Sequence, residues 1–248
     1  MKRFINFIKN IFKNRPQKPS EPLPSVDNNK IPSCTIDDLC DERVPPKKES
    51  EWTPENYRQE YIDLWISARK KIICGSNGCQ TPGGLVWTMN RIKAMKHRYV
   101  NASDFIKKEL GDNIPWEVIA ALHMRESGSD FSKQIMNGQP WSRITTWVPR
   151  GHGPWESWEK SCVDAFKIKD RPKKWTIANT LYFCERFNGM GYRMSGREKI
   201  VGHSPYLWAF TQHYRGGYFI SDGRFSSSAV AKGVGVAMIL KELDFKGE

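Results

Sequence analysis

Between residues 115 and 126 the chain reads PWEVIAALHMRE. Trp116, Val118, Ile119, Ala120, Ala121 and Leu122 leave almost no polar face. A helix that is apolar nearly all round is stable only where other elements cover it. This stretch therefore predicts a buried central helix with the rest of the domain wrapped around it. Pro115 suits the first helical position, where a missing N–H costs nothing. Glu117 suits the positive end of the helix dipole, and Gly128 is the stop.

The segments around it carry helical rather than alternating periodicity. Helices are predicted over about 53–71 (capped by Thr53), 85–99, 102–110 (capped by Asn101 or Ser103), 156–167, 176–187, 205–214 and 228–243. The glycine-rich stretch CGSNGCQTPGG separates the first two. The expected fold is mainly α, with at most a short β-hairpin in 140–155. No internal repeat is visible.

Residues 1–50 differ from the rest. Pro16, Pro19, Pro22, Pro24, Pro32, Pro45 and Pro46 sit among Lys, Ser, Asp and Asn, so about 15–50 reads as a linker that cannot bury enough surface to fold. Before it, Phe4, Ile5, Ile8, Ile11 and Phe12 fall at helical spacing, with Lys2, Arg3, Lys9 and Lys13 mostly opposite. Residues 1–14 thus fit a basic amphipathic helix on an anionic membrane surface. They fit a signal peptide less well, because Asn6 and Lys9 interrupt the apolar region and no small-residue cleavage site follows. The expected division is a flexible basic N-terminal segment, 1–50, and a helical domain, 51–248.

The chain has 248 residues, with 39 Lys and Arg against 27 Asp and Glu, a formal net charge of +12. Ten basic and seven acidic residues lie in 1–50, so +9 belongs to the remainder. Such a charge selects anionic partners: nucleic acid, a membrane surface or an acidic polymer. No apolar run approaches the roughly 18 residues of a membrane span. The six cysteines, Cys34, Cys40, Cys74, Cys79, Cys162 and Cys184, show no CxxC spacing that would indicate zinc. Cys74 and Cys79 flank SNG and can close a small loop in an oxidising compartment; free thiols are the favoured reading. The five histidines, His152 in VPRGHGP among them, are scattered, and no GxSxG, P-loop or GxGxxG is present. No metal or cofactor is expected.

The central helix ends in HMRESGSDF. A carboxyl at its last turn meets the negative end of the dipole and a desolvating core, and both raise its pKa. Glu126 is therefore the candidate general acid. His123, three residues earlier, shares roughly one face with it. It fits either a group that orients Glu126 or contacts substrate, or a core histidine bonded to backbone. A second carboxyl, where one is needed, has candidates in Asp130, Glu156 and Glu159.

IPWEVIAALHMRESGSDF resembles the catalytic-helix segment of the lysozyme-like superfamily. NGQPWSRITTWVPRGHGP, WESWEKSCVDAF, LYFCERFNGMGYR and SPYLWAFTQHYRGGYFISDGRF follow in an order similar to that of a group of phage peptidoglycan hydrolases. Their stations are H-x-x-E-S, Y/F-N-G-x-G-Y and S-P-Y-L-W. The likeness covers roughly 95–245. It implies a lysozyme-like helical domain in which Glu126 protonates the glycosidic oxygen between N-acetylmuramic acid and N-acetylglucosamine. It implies that Asn188, Gly189, Tyr192 and Tyr206 line the sugar cleft, and that Thr145 or Thr146 positions a water if the reaction inverts. If no second carboxyl serves, the lytic transglycosylase route remains, in which the sugar's own 6-hydroxyl attacks.

The expected function is thus an endolysin, either a muramidase or a lytic transglycosylase, acting as a monomer on bacterial peptidoglycan without nucleic acid. It would be made in the host cytoplasm and act on the wall or in the periplasm. The alternatives are a basic nucleic-acid-binding helical protein and a chitinase-like glycosidase on the same scaffold.

Overall fold

In the computed structural model, residues 54–75, 78–80, 83–221 and 223–247 are described. The predicted amphipathic start, the Pro-rich linker and the Thr53 cap lie outside them. In chain order the elements are α1 (Pro54–Ser67), β1 (Ile73–Gly75), β2 (Gly78–Gln80), α2 (Gly83–Ala94), α3 (Lys96–Leu110), α4 (Trp116–Ser127), α5 (Trp158–Lys167) and α6 (Ile177–Asn188). After these come α7 (Gly191–Met194), α8 (Glu198–Val201), α9 (Pro205–Trp208), β3 (Tyr218–Ser221), β4 (Arg224–Ser226) and α10 (Val236–Glu242). The fold is mainly α. Its strands form two separate two-stranded sheets, and the β1–β2 register sets Cys74 opposite Cys79.

The central helix is α4. Val118, Ile119, Ala120, Ala121 and Leu122 are fully buried. Helices α2, α3 and α10 pack against it, and the two consecutive alanines keep its surface low where they approach. Its C-terminus closes as an αL cap. Gly128, at φ 66°, donates to the Met124 carbonyl at 3.0 Å, and Ser129 donates to the His123 carbonyl at 3.3 Å. Arg91 of α2 then donates to the Gly128 and Ser129 carbonyls at 2.9 and 3.1 Å, placing a cation at the negative end of α4.

Several boundaries differ from the sequence reading. Helix α1 stops at Ser67 rather than at 71, where Lys70 bridges to Thr211. The chain predicted as helices 85–99 and 102–110 breaks instead at Met95. Asn101 and Ser103 are therefore interior residues of α3, and neither caps a helix. The Ser103 hydroxyl is used in tertiary contact, donating to the Ile114 carbonyl at 2.5 Å. By contrast, Ser157 and Thr176 do cap α5 and α6, accepting from the N–H groups of Lys160 and Asn179.

The segments predicted as helices 205–214 and 228–243 shrink to α9 and α10. A Cβ on Gly235 would stand 2.2 Å from the Leu207 carbonyl oxygen, so the start of α10 lies directly on the backbone of α9. The Gly235 N–H donates to Ala209 at 3.0 Å across that contact. Residues 140–155 hold no hairpin; the hairpins fall at 73–80 and 218–226. Three prolines remove ladder donors from 140–155, and Gly151 and Gly153 adopt positive φ. Local side-chain bonds supply the order there instead. Thr145 Oγ1 donates to the Pro149 carbonyl at 2.7 Å and accepts from the His152 N–H at 3.0 Å.

Candidate active site

Glu126 occupies the last turn of α4, just before the Gly128 turn. Part of it remains open to solvent, yet burial dominates the environment of its carboxyl. Desolvation raises its pKa from 4.5 to about 7. Tyr206 opposes the rise, because its hydroxyl donates to Glu126 Oε1 at 2.8 Å, and the cations of Arg125 and Lys169 oppose it further. Of the two causes expected from the sequence, desolvation is the one that raises it here. A carboxyl half protonated near neutral pH and still reachable can give a proton and take one back.

Three elements hold the pair. Tyr206 is buried on α9, whose position is fixed by the close contact with Gly235. The Arg125 guanidinium lies 4.9 Å from the Tyr206 ring and donates to the Val234 carbonyl at 3.2 Å. Behind Glu126, a Cβ on Gly138 would stand 2.5 Å from the Glu126 carbonyl oxygen, so the loop after α4 presses on its end. Asn137 and Gln139 flank that glycine and tie down the next loop. Asn137 Nδ2 donates to the carbonyls of Trp147 and Val148, both at 3.3 Å. Gln139 donates to Thr146 Oγ1 at 2.9 Å and accepts from the N–H groups of Thr146 and Trp147, both at 2.9 Å.

The hydrogen bond from Tyr206 favours the ionised carboxylate, so its loss should raise the Glu126 pKa further. In Tyr206→Phe the carboxyl should titrate about one pH unit higher than in the wild type. A carbon-13 NMR titration of labelled glutamate reads this without any assay of activity; an unchanged or lower midpoint would contradict the geometry.

The other sequence-derived residues divide clearly. His123 is fully buried and points away from the acid. Its Nδ1 lies 3.1 Å from the Tyr99 hydroxyl, its Nε2 lies 3.2 Å from the Asp130 carbonyl, and its ring packs on Phe131 and Trp158. Burial pushes its pKa down to about 3, so it stays neutral and braces the turn after α4. Asp130 Oδ2 pairs with Lys133 Nζ at 2.7 Å, and its Oδ1 accepts from the Ser132 N–H and hydroxyl. These partners hold its pKa down near about 2, so it remains ionised with both oxygens engaged.

Glu156 is exposed, and Glu159 pairs with Arg98 at 3.1 Å. Thr145 is buried within its own loop, whereas Thr146 is exposed and bonded to Gln139. Asn188 and Gly189 lie exposed at the end of α6, and Tyr192 is buried, its hydroxyl accepting from the Phe219 N–H at 3.2 Å. Trp208 is fully buried and packs edge-on to His213.

Sequence reasoning missed Asn137, Gln139 and Lys169. Lys169 reaches the end of α6, donating to the Phe187 carbonyl at 3.4 Å with its ammonium 5.0 Å from the Phe187 ring. No periodic or motif signal marks these residues. They matter because loops return to the end of α4, which spacing along the chain does not encode.

One group among the described residues has metal-ligand chemistry. Single ligand atoms of Glu60, Glu198 and His203 lie within 4.8 Å of one another. Arg193 already supplies positive charge there. It donates to both Glu60 oxygens at 3.1 and 2.9 Å, to Glu185 at 3.1 Å, and stands 3.5 Å from Glu198. No protein-family model matches this chain, and neither curated proteins nor solved structures give a match.

Proposed function

We propose that this chain cleaves peptidoglycan glycan strands at the β-1,4 bond between N-acetylmuramic acid and N-acetylglucosamine, with Glu126 as general acid. The observation that carries the proposal is the Glu126 carboxyl. It is desolvated to a pKa of about 7, steadied by Tyr206 and open to solvent on one side. The motif order from His123 to Trp208 and the positive charge of the domain fit an anionic wall polymer. In this reading the protein is a phage endolysin, made in the host cytoplasm and acting on the wall.

The transglycosylase route is the better supported of the two. Of the candidate second carboxyls, Asp130 has both oxygens engaged, Glu159 is paired with Arg98 and Glu156 is an exposed surface acid. A protein-held water base, which hydrolysis with inversion requires, thus has no evident carboxylate. Glu126 instead protonates the glycosidic oxygen as the C1–O bond breaks. The resulting carboxylate then accepts the proton of the sugar's 6-hydroxyl as that oxygen bonds to C1. The proton returns to Glu126 and the product carries a 1,6-anhydro ring.

Mass spectrometry of digested wall checks this. The expected product has a 1,6-anhydromuramoyl end. A reducing muramic end assigns hydrolysis instead, and a reducing glucosamine end refutes the choice of bond.

A further inference from the structure

The loop between α5 and α6 reads IKDRPKKWT, residues 168–176, and it forms one wall of an open basin of about 420 Å³. Four cations line the basin, Lys167, Lys169, Arg171 and Lys173, against two acids, Asp112 and Asp170. Asp112 is engaged, and Asp170 is exposed and only loosely paired. Asp112 receives Arg171 Nε at 2.6 Å, and Asp170 stands 3.6 Å from Arg186. Arg171 is engaged as well, since it also bonds the Phe166 carbonyl and so pins the loop to α5. Lys167 and Lys173 are exposed, and Lys169 has only a single long bond to backbone. Lys167 and Lys173 thus add two exposed cations to the basin, while the Lys169 cation bears on the Glu126 carboxyl.

Its location gives the charge a use. Lys169 is anchored on the Phe187 carbonyl and its cation acts on Glu126, and the next residues, Asn188 and Gly189, are those the resemblance assigns to the sugar cleft. An anionic group entering the basin therefore sits beside any strand that reaches Glu126. We propose that this basin is an anion subsite for the carboxylates of the peptide substituent carried by the glycan strand, so that peptide-bearing strands are preferred over bare ones. The inference rests on the proposed function of Glu126. A substituent tethered to the strand is brought to the basin by strand binding itself, whereas a phosphate polymer elsewhere in the wall gains no such proximity. The volume also exceeds what a lone inorganic anion needs.

The test compares initial rates on purified strands that retain their peptides, strands stripped of peptides by an amidase, and peptide-bearing wall freed of phosphate polymers. Wild type is expected to cleave peptide-bearing strands at least about tenfold faster than stripped ones, the factor of one well-placed charge contact. In the double variant Lys167→Gln/Lys173→Gln, with helicity checked by circular dichroism, that ratio should collapse toward one. A wild-type ratio below about tenfold, a ratio unchanged in the variant, or a rate that follows the phosphate polymer instead overturns the subsite. If wild type cleaves none of the three substrates, the proposed function fails with it, an outcome distinct from cleavage without preference.

Discussion

Glu126→Gln should abolish the clearing of purified wall suspensions while leaving far-ultraviolet circular dichroism unchanged. Glutamine keeps the shape and can still accept from the Tyr206 hydroxyl, but it can neither deliver nor recover a proton. Loss of one acid/base group of this kind costs on the order of 10²–10⁴ in rate, which turbidity readings register as no lysis. Retained lysis would remove Glu126 from the chemistry. Wild-type activity should also fall as pH rises through about 7, because the first step needs the protonated acid.

The same substitution carries a stability signature of opposite sign. The folded-state pKa of Glu126 is raised from 4.5 to about 7. Its favourable share of stability is thus fully present below about pH 4.5 and is lost as pH climbs through about 7. The loss approaches about 3 kcal/mol, taking 1.36 kcal/mol per pKa unit. Glu126→Gln does not ionise and escapes that loss. Urea denaturation should therefore find the variant more stable than wild type at pH 8–9 and similar near pH 4. Equal stability at both pH values would show that burial does not strain this carboxyl.

Arg193→Met should destabilise the fold by about 3–5 kcal/mol at neutral pH. Its guanidinium is almost wholly buried against Glu185, which is itself buried and receives the Tyr61 hydroxyl at 2.5 Å. Removing the cation leaves a buried carboxylate without its counter-charge. Burial already raises the Glu185 pKa. In the variant Glu185 should take up a proton more readily, so the penalty shrinks as the solution is acidified. Adding Glu185→Met removes the stranded acid and should recover most of the loss. Urea melts of wild type and the two variants read this directly, and a loss below about 1 kcal/mol for Arg193→Met would refute it. The network matters to the site because Arg193 follows Tyr192 in FNGMGYR. The ion pairs thus anchor the segment that begins at Asn188.

Local signals were legible where they were self-contained. The helix from Trp116 onward and its stop at Gly128 follow from neighbours within a few residues. Signals failed where a distant backbone intervened. Asn101 and Ser103 have capping side chains, yet α3 runs through both, because the Ser103 hydroxyl has a partner at Ile114. The apolar pattern after Pro205 and before Leu243 suggested long helices. The crossing of Gly235 over Leu207 leaves room only for short ones.

The candidate site shows the same division. The sequence alone determined that one carboxyl stands at the end of a buried helix, and therefore that its pKa rises. Apolar composition and the position of a helix stop are local properties, and they suffice for that direction. Only the tertiary structure decided what surrounds the carboxyl. Tyr206 lies 80 residues further along the chain, yet its hydroxyl is 2.8 Å from Glu126. His123 lies only three residues before Glu126, yet it turns to Tyr99 and the Asp130 carbonyl. Helical spacing puts two residues on one face, but side-chain bonds form wherever desolvated polar groups find partners, and packing between distant elements sets where those partners stand.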